Sequence, residues 1–133
     1  MSITPKFEIR FDPGAYREYE KLDGSIVGFV DQKLEELEYR ADEIGKVLSN
    51  IQNTKLAGCR EIKLRDAGIR IVYRITSANV DILRIVYILA IEKRAGDYVF
   101  KLADQRLSSM RQKSSEPLNR QIQKSTVYKR NKN

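Results

Sequence analysis

The strongest constraint in this chain is the alternation across residues 69–75, Ile-Arg-Ile-Val-Tyr-Arg-Ile, where Ile69, Ile71, Tyr73 and Ile75 fall on every second position. Period two with one apolar face marks a strand lying half on a core, with Arg70, Val72 and Arg74 turned outward. The pattern has neighbours on both sides. Residues 60–65 set Ile62 and Leu64 inward and Glu61, Lys63 and Arg65 outward, and Asp66-Ala67-Gly68 supplies the turn between the two strands. Ser77-Ala78-Asn79 predicts a second turn. Residues 80–91 then predict a third strand, apolar on nearly both faces except at Arg84, as expected of a central strand with part of its second face covered. Residues 61–94 therefore read as a three-stranded antiparallel meander ending in Lys93-Arg94.

Upstream, Phe7, Ile9 and Phe11 alternate with Glu8 and Arg10 and predict an N-terminal strand. Asp12-Pro13 offers an N-cap followed by proline in the first turn, starting a helix that runs to about Leu22 and breaks at Asp23-Gly24. Ser25 is placed to cap a second helix, on which Val27, Val30, Leu34, Leu37, Ala41, Ile44 and Leu48 recur at steps of three and four. The two form an α-hairpin packed on the sheet. Residues 49–58 read as a polar linker. Asp97 opens a last helix to about Leu107, carrying Tyr98, Phe100, Leu102 and Ala103. The expected fold is α+β: an N-terminal strand, an α-hairpin, a meander completing a four-stranded sheet, and a short C-terminal helix. The domain spans residues 1–107. Residues 108–133 carry only scattered apolar side chains and read as a basic flexible tail with a short helix around residues 118–122.

Charge is unevenly placed along the chain. Residues 1–54 hold seven Lys/Arg against eleven Asp/Glu, residues 55–100 nine against five, and residues 101–133 nine against two. The basic rear favours a polyanionic partner. The absence of histidine argues against zinc centres, serine-type triads and histidine-based ribonuclease chemistry. Cys59 is the single cysteine, so no internal disulfide forms, and it reads as buried filler. No run approaches the ~18 apolar residues of a membrane span, and the first residues lack a secretory h-region, so a cytoplasmic setting without membrane attachment is expected.

The outward faces of the meander collect Lys63, Arg65, Arg70, Arg74, Arg84 and Arg94. Solvated sheet faces are commonly basic, yet three strands contribute here and only Glu61, Asp66 and Glu92 interrupt them. Fixed cations repel one another and are best satisfied by a bound anion, for which phosphate suits the arginine fork. Attack of an RNA 2′-hydroxyl on its own phosphodiester needs alignment, charge stabilisation at phosphorus and proton transfer, all without a cofactor. A lysine accepts such a proton at neutral pH only where neighbouring cations lower its pKa. Composition leaves this chemistry and plain RNA or DNA binding both open.

The segments LAGCREIKLRDAGIRIVYRI (residues 56–75) and IEKRAGDYVFKLADQRL (residues 91–107), and more loosely FEIRFDPGAYREYEKLDGSI (residues 7–26), resemble the RelE/ParE superfamily of type II toxin–antitoxin toxins, with the RelE branch nearest. The resemblance covers roughly residues 5–107. It implies a ribosome-dependent mRNA endonuclease that inhibits translation, with a cognate antitoxin, the ribosome and mRNA as partners and operator DNA as a target of the toxin–antitoxin complex. A ParE-like DNA gyrase inhibitor and a non-catalytic RNA- or DNA-binding relative are the alternatives. The family's second K-x-K lysine falls on Lys63 and the arginine after it on Arg65. The arginine of G-Y-R falls on Arg70, and the Lys-Arg pair on Lys93 and Arg94. These matches imply a catalytic set of Lys63, Arg70, Arg94 and Phe100, with Arg65, Arg74, Arg84, Lys93 and Tyr98 contacting RNA. Three positions depart from the pattern. Glu61 replaces the first K-x-K lysine, and Ile69 replaces the aromatic of G-Y-R. Phe100 replaces a tyrosine and so could stack on a base without exchanging protons, with Tyr98 two positions upstream as its substitute.

Overall fold

The N-terminal alternation forms β1 (Phe7–Phe11), with Phe7, Ile9 and Phe11 buried. The computed structural model describes residues 4–50, 53–93, 95–112 and 117–129. Asp12 caps α1 (Pro13–Glu20) by accepting the Gly14 N–H at 2.9 Å. Asp23, rather than Ser25, caps α2 (Gly24–Arg40), its carboxylate accepting the Ser25 N–H at 3.3 Å. Val30, Leu34 and Leu37 form the buried stripe of α2, but the helix stops at Arg40, so Ile44 and Leu48 lie beyond it. The cause is a tertiary contact. The Tyr73 hydroxyl lies 2.9 and 2.7 Å from the carbonyls of Ala41 and Ile44 and shares its one proton between these acceptors just past the helix. Gly45 then takes φ +83°, a conformation that favours glycine, and the chain turns into β2 (Lys46–Val47).

β3 (Cys59–Leu64), β4 (Ile69–Val80) and β5 (Leu83–Glu92) form the meander. β4 runs past the expected turn at residues 77–79, and the chain reverses at Asp81-Ile82, where Asp81 has φ +53°. Thr76 explains the extension: its hydroxyl donates to the Ile85 carbonyl at 2.8 Å and accepts the Ala78 N–H at 3.1 Å. These bonds carry the ladder across the register irregularity between Ile75 and Asn79.

Among the described residues the sheet has six strands in the order β2-β3-β4-β5-β1-β6, not four. β1 runs parallel to β5 and the other neighbours pair antiparallel. The two additions, β2 and β6 (Thr126–Val127), have two residues each, too few to show a period. One core fills the space between the sheet and α1/α2, centred on Phe11, Leu34, Ile71, Tyr73 and Ile88. A second lies on the opposite face, where α3 (Tyr98–Gln112) and α4 (Leu118–Gln123) cover Val72, Ile85, Tyr87 and Leu89.

The expected flexible tail is corrected over its described part. α3 continues to Gln112, α4 buries Ile122, and Tyr128 is only 6% exposed. Arg10 Nη1 donates to the carbonyls of Gln123 and Ser125 at 2.6 and 2.8 Å, while the Tyr128 N–H donates to Ile9 at 2.8 Å. Two anchors and these polar bonds strap residues 117–129 onto the domain despite their low apolar content. Among the described residues, no helix is long and apolar enough to cross a membrane.

Candidate functional site

The strand register decides which cations meet. Lys63 of β3 stands opposite Arg70 of β4, and Arg70 opposite Glu92 of β5. Directly opposed residues share a face, with Cβ atoms about 4.5–5.5 Å apart. The adjacent row is Lys46, Glu61, Val72 and Ala90, and the next is Cys59, Arg74 and Tyr87. The expected cationic face is therefore interrupted. Val72 and Tyr87 lie in the second core under α3, and Glu61 and Glu92 are buried at 4% and 7% exposure.

What remains is a corner where the end of β3, the start of β4 and the end of β5 meet the approach to α3. Lys63, Arg65 and Lys93 are exposed there. Arg70 is half-buried and anchored: its Nη1 donates to the Gly96 carbonyl at 2.9 Å and lies 3.8 Å from Glu61 Oε2. That carboxylate oxygen has no hydrogen-bond partner. Arg94 lies outside the described residues.

The other sequence-derived positions divide. Tyr98, at the first turn of α3, keeps 38% of its surface exposed. Phe100 is turned into the second core beside Val99 and Ala103, so its ring packs the helix onto the sheet and offers no face to a base. Arg74 is held away from the corner, donating to the Ala57 carbonyl at 3.2 Å and lying 4.0 Å from Cys59 Sγ. Burial pushes the Cys59 thiol upward, only partly opposed by Arg74, consistent with filler rather than a nucleophile. Arg84 is at the far end of the sheet, opposite Asn79 and donating to the Thr76 carbonyl at 3.3 Å. Asn79 and Arg70 are nine residues apart on β4, on the order of 30 Å. Among the described residues, no three His, Cys, Asp or Glu side chains gather into a metal-holding group.

Over an alignment of 107 residues that takes in 77% of this chain and 98% of the other, the chain is 31% identical to a protein of Escherichia coli described as a RelE-like toxin. The chain belongs to the RelE-like branch of the RelE/ParE superfamily. A free E. coli RelE toxin carrying two arginine-to-alanine substitutions is similar at TM-score 0.52 and 27% identity, over 78% of this chain and 99% of that one. A chain of a RelBE toxin–antitoxin complex from Mycobacterium tuberculosis is similar at TM-score 0.52 and 28% identity, over 71% and 98% respectively. No family model matches the chain.

This RelE-like toxin also holds an internal ion network that the sequence reading missed. Arg106 of α3 donates Nη1 and Nη2 to the Glu18 carboxylate of α1, both at 2.8 Å, and Nη1 to the Leu89 carbonyl at 2.9 Å. Its Nε lies 3.8 Å from Asp12 Oδ2, and the Tyr87 hydroxyl donates to Asp12 at 3.1 Å. Desolvation opposes the Arg106 charge, but the Glu18 bonds outweigh it and hold the guanidinium above its ordinary pKa. Burial pushes the Asp12 carboxyl up, countered in part by the Gly14 N–H and Tyr87. Spacing held a clue: Arg106 lies on the helical stripe of Val99, Ala103 and Met110, which faces the sheet.

Proposed function

We propose that this RelE-like toxin inhibits translation by cutting mRNA on the ribosome, as an endoribonuclease that uses the substrate's own 2′-hydroxyl. The observation that supports this reading most is the Lys63–Arg70 register pair, an exposed ammonium beside an anchored guanidinium on one sheet face. In the reaction, the 2′-hydroxyl loses its proton and its oxygen bonds to phosphorus. The bond from phosphorus to the 5′-oxygen breaks, and that oxygen takes up a proton. A 2′,3′-cyclic phosphate and a free 5′-hydroxyl result.

Negative charge grows on the non-bridging oxygens along this path, and preset cations lower its energy because they need no reorganisation. Arg70, fixed by the Gly96 carbonyl, takes this part, and the family match gives Arg94 a share in phosphate stabilisation. Lys63 touches the same phosphate and serves proton transfer or charge stabilisation. Arg65 and Lys93 hold flanking phosphates, and Tyr98, exposed at the start of α3 where Phe100 is buried, contacts a base. Arg74 and Arg84 stand outside the reaction centre.

The partners in this reading are the ribosome with its mRNA in the cytoplasm, a cognate antitoxin, and operator DNA bound by the toxin–antitoxin pair. The M. tuberculosis relative, seen in a toxin–antitoxin complex, supports the antitoxin. Primer extension on programmed ribosomes tests the activity. The intact chain is expected to give discrete mRNA breaks, and Lys63→Ala to reduce them by about 10²-fold or more, the scale of lost proton-transfer catalysis. Absence of breaks with the intact chain, together with inhibition of DNA gyrase, assigns the protein to the gyrase-poisoning alternative.

A further inference from the structure

Lys63 borders a second feature besides the Arg70 corner. Among the described residues β2 pairs only with Arg60 and Glu61, and the edge of β3 beyond them has no strand partner on that side. The outer face of α2 stands across from this edge, presenting Phe29, Lys33 and Glu36 at helical spacing. A cleft of about 330 Å³ lies between them, and Lys63 and Arg65 line its strand side. That volume is at the lower end of the ~300–1,000 Å³ range of small-ligand clefts, suited to one residue of a larger chain.

The chemistry of the walls is specific. Phe29 lies one position off the buried Val30, Leu34 and Leu37 stripe and leaves 47% of its surface exposed. Glu36 is neutralised by Lys33 at 2.8 Å and by Arg40 at 3.0 Å. Asp66 supplies the remaining carboxylate, set against Lys63 and Arg65. An exposed aromatic face flanked by cations is the arrangement that holds an unpaired base by stacking and its backbone by charge.

We propose that this cleft is a nucleobase subsite for single-stranded RNA, in which Phe29 stacks on a base whose strand rounds the edge of β3, past Lys63 and Arg65, to the phosphate held at Lys63 and Arg70 on the opposite face of the sheet. Arg65 meets the phosphate on its other side. The subsite rests on the RNA-cleaving reading given above and extends it. It places base contact on α2, supplying a platform that the buried Phe100 does not. Stacking tolerates every base, so the subsite anchors the strand and selects little by sequence.

The test is binding of a short single-stranded RNA containing 2-aminopurine, with full-length protein, by fluorescence quenching and titration. Wild type is expected to quench the probe. Phe29→Ala is expected to lose the quenching and weaken binding about 5- to 150-fold, the range that ~1–3 kcal/mol of stacking gives. Phe29→Trp is expected to keep both, whereas Phe29→Leu, which retains apolar bulk, is expected to lose quenching. Unchanged quenching in Phe29→Ala, while Lys63→Ala weakens binding, overturns the subsite and leaves the RNA reading standing. No binding by wild type overturns both. Loss of antitoxin binding in Phe29→Ala with RNA binding intact shows a protein-docking residue and also overturns the subsite. Thermal melting of each variant separates these outcomes from misfolding.

Discussion

Glu61 Oε2 lies 3.8 Å from Arg70 Nη1, on a glutamate whose side chain is 3% exposed, and that oxygen has no hydrogen-bond partner. The separation is too long for a hydrogen bond and close enough for strong Coulombic attraction. Glu61 therefore subtracts from the potential that Arg70 offers a phosphate. Glu61→Gln keeps the shape and removes the charge, and its expected effect is tighter RNA binding by about fivefold, near 1 kcal/mol. Fluorescence anisotropy with single-stranded RNA at two salt concentrations checks this. Weaker binding instead indicates that the carboxylate is needed to hold the guanidinium in place.

The C-terminal strap makes a prediction about stability without chemistry. The Tyr128 hydroxyl donates to the buried Asp31 carboxylate at 3.0 Å and lies 3.4 Å from Glu35, joining the strap to α2. Tyr128→Phe removes this donor while the Tyr19 hydroxyl still serves Asp31, so the cost is that of one hydrogen bond to a charged group, about 1.5–3 kcal/mol. Calorimetry is expected to show a lower Tm. Cleavage is expected to be unchanged, because β1, β5 and β4 lie between β6 and β3, a separation of roughly 20 Å.

Three tyrosines report on the integrity of the fold at high pH. Burial pushes Tyr73 up from 10.0 to about 12, and also raises Tyr87 and Tyr128. For Tyr73, above pH 10 the unfolded chain releases a proton that the folded chain retains. Its contribution is therefore complete below pH 10 and is lost as pH rises toward about 12. Absorbance at 295 nm is expected to show these phenols ionising together with loss of circular dichroism. Smooth ionisation of all seven tyrosines near pH 10 in folded protein contradicts the burial.

Gly14 and Arg106 are coupled through space. Alanine is ordinarily the better helix former by ~1 kcal/mol, but a Cβ on Gly14 would lie 2.5 Å from Arg106 Cζ and Nε. The guanidinium cannot easily move, because Glu18 and the Leu89 carbonyl hold it. Gly14→Ala is expected to destabilise by roughly 1–3 kcal/mol in chemical denaturation. The same change in an Arg106→Ala background is expected to cost little or to stabilise, giving a clear non-additivity. Additive effects contradict the contact.

Period-two alternation makes β1, β3 and β4 legible in the sequence, because each has a face that must be buried. The short edge strands β2 and β6 were not legible, since two residues carry no period. Leu48 continued the apolar steps of α2, and the Tyr73 hydroxyl, a tertiary contact, together with the positive φ of Gly45 ends that helix earlier. The strap escaped notice because Ile122 and Tyr128 are anchors separated by polar residues, which composition averages away. At the site, the Lys63–Arg70 pairing follows from strand order and a short turn. The burial of Glu61 and Phe100 does not, because it depends on where α3 lies across the second face.

The 2′-hydroxyl mechanism is tested most directly on ribosomes programmed with an mRNA whose scissile nucleotide is replaced by its 2′-deoxy form. The toxin is expected to cut the all-ribose message, leave a 2′,3′-cyclic phosphate, and spare the substituted position. Cleavage of the 2′-deoxy message at an undiminished rate contradicts that mechanism.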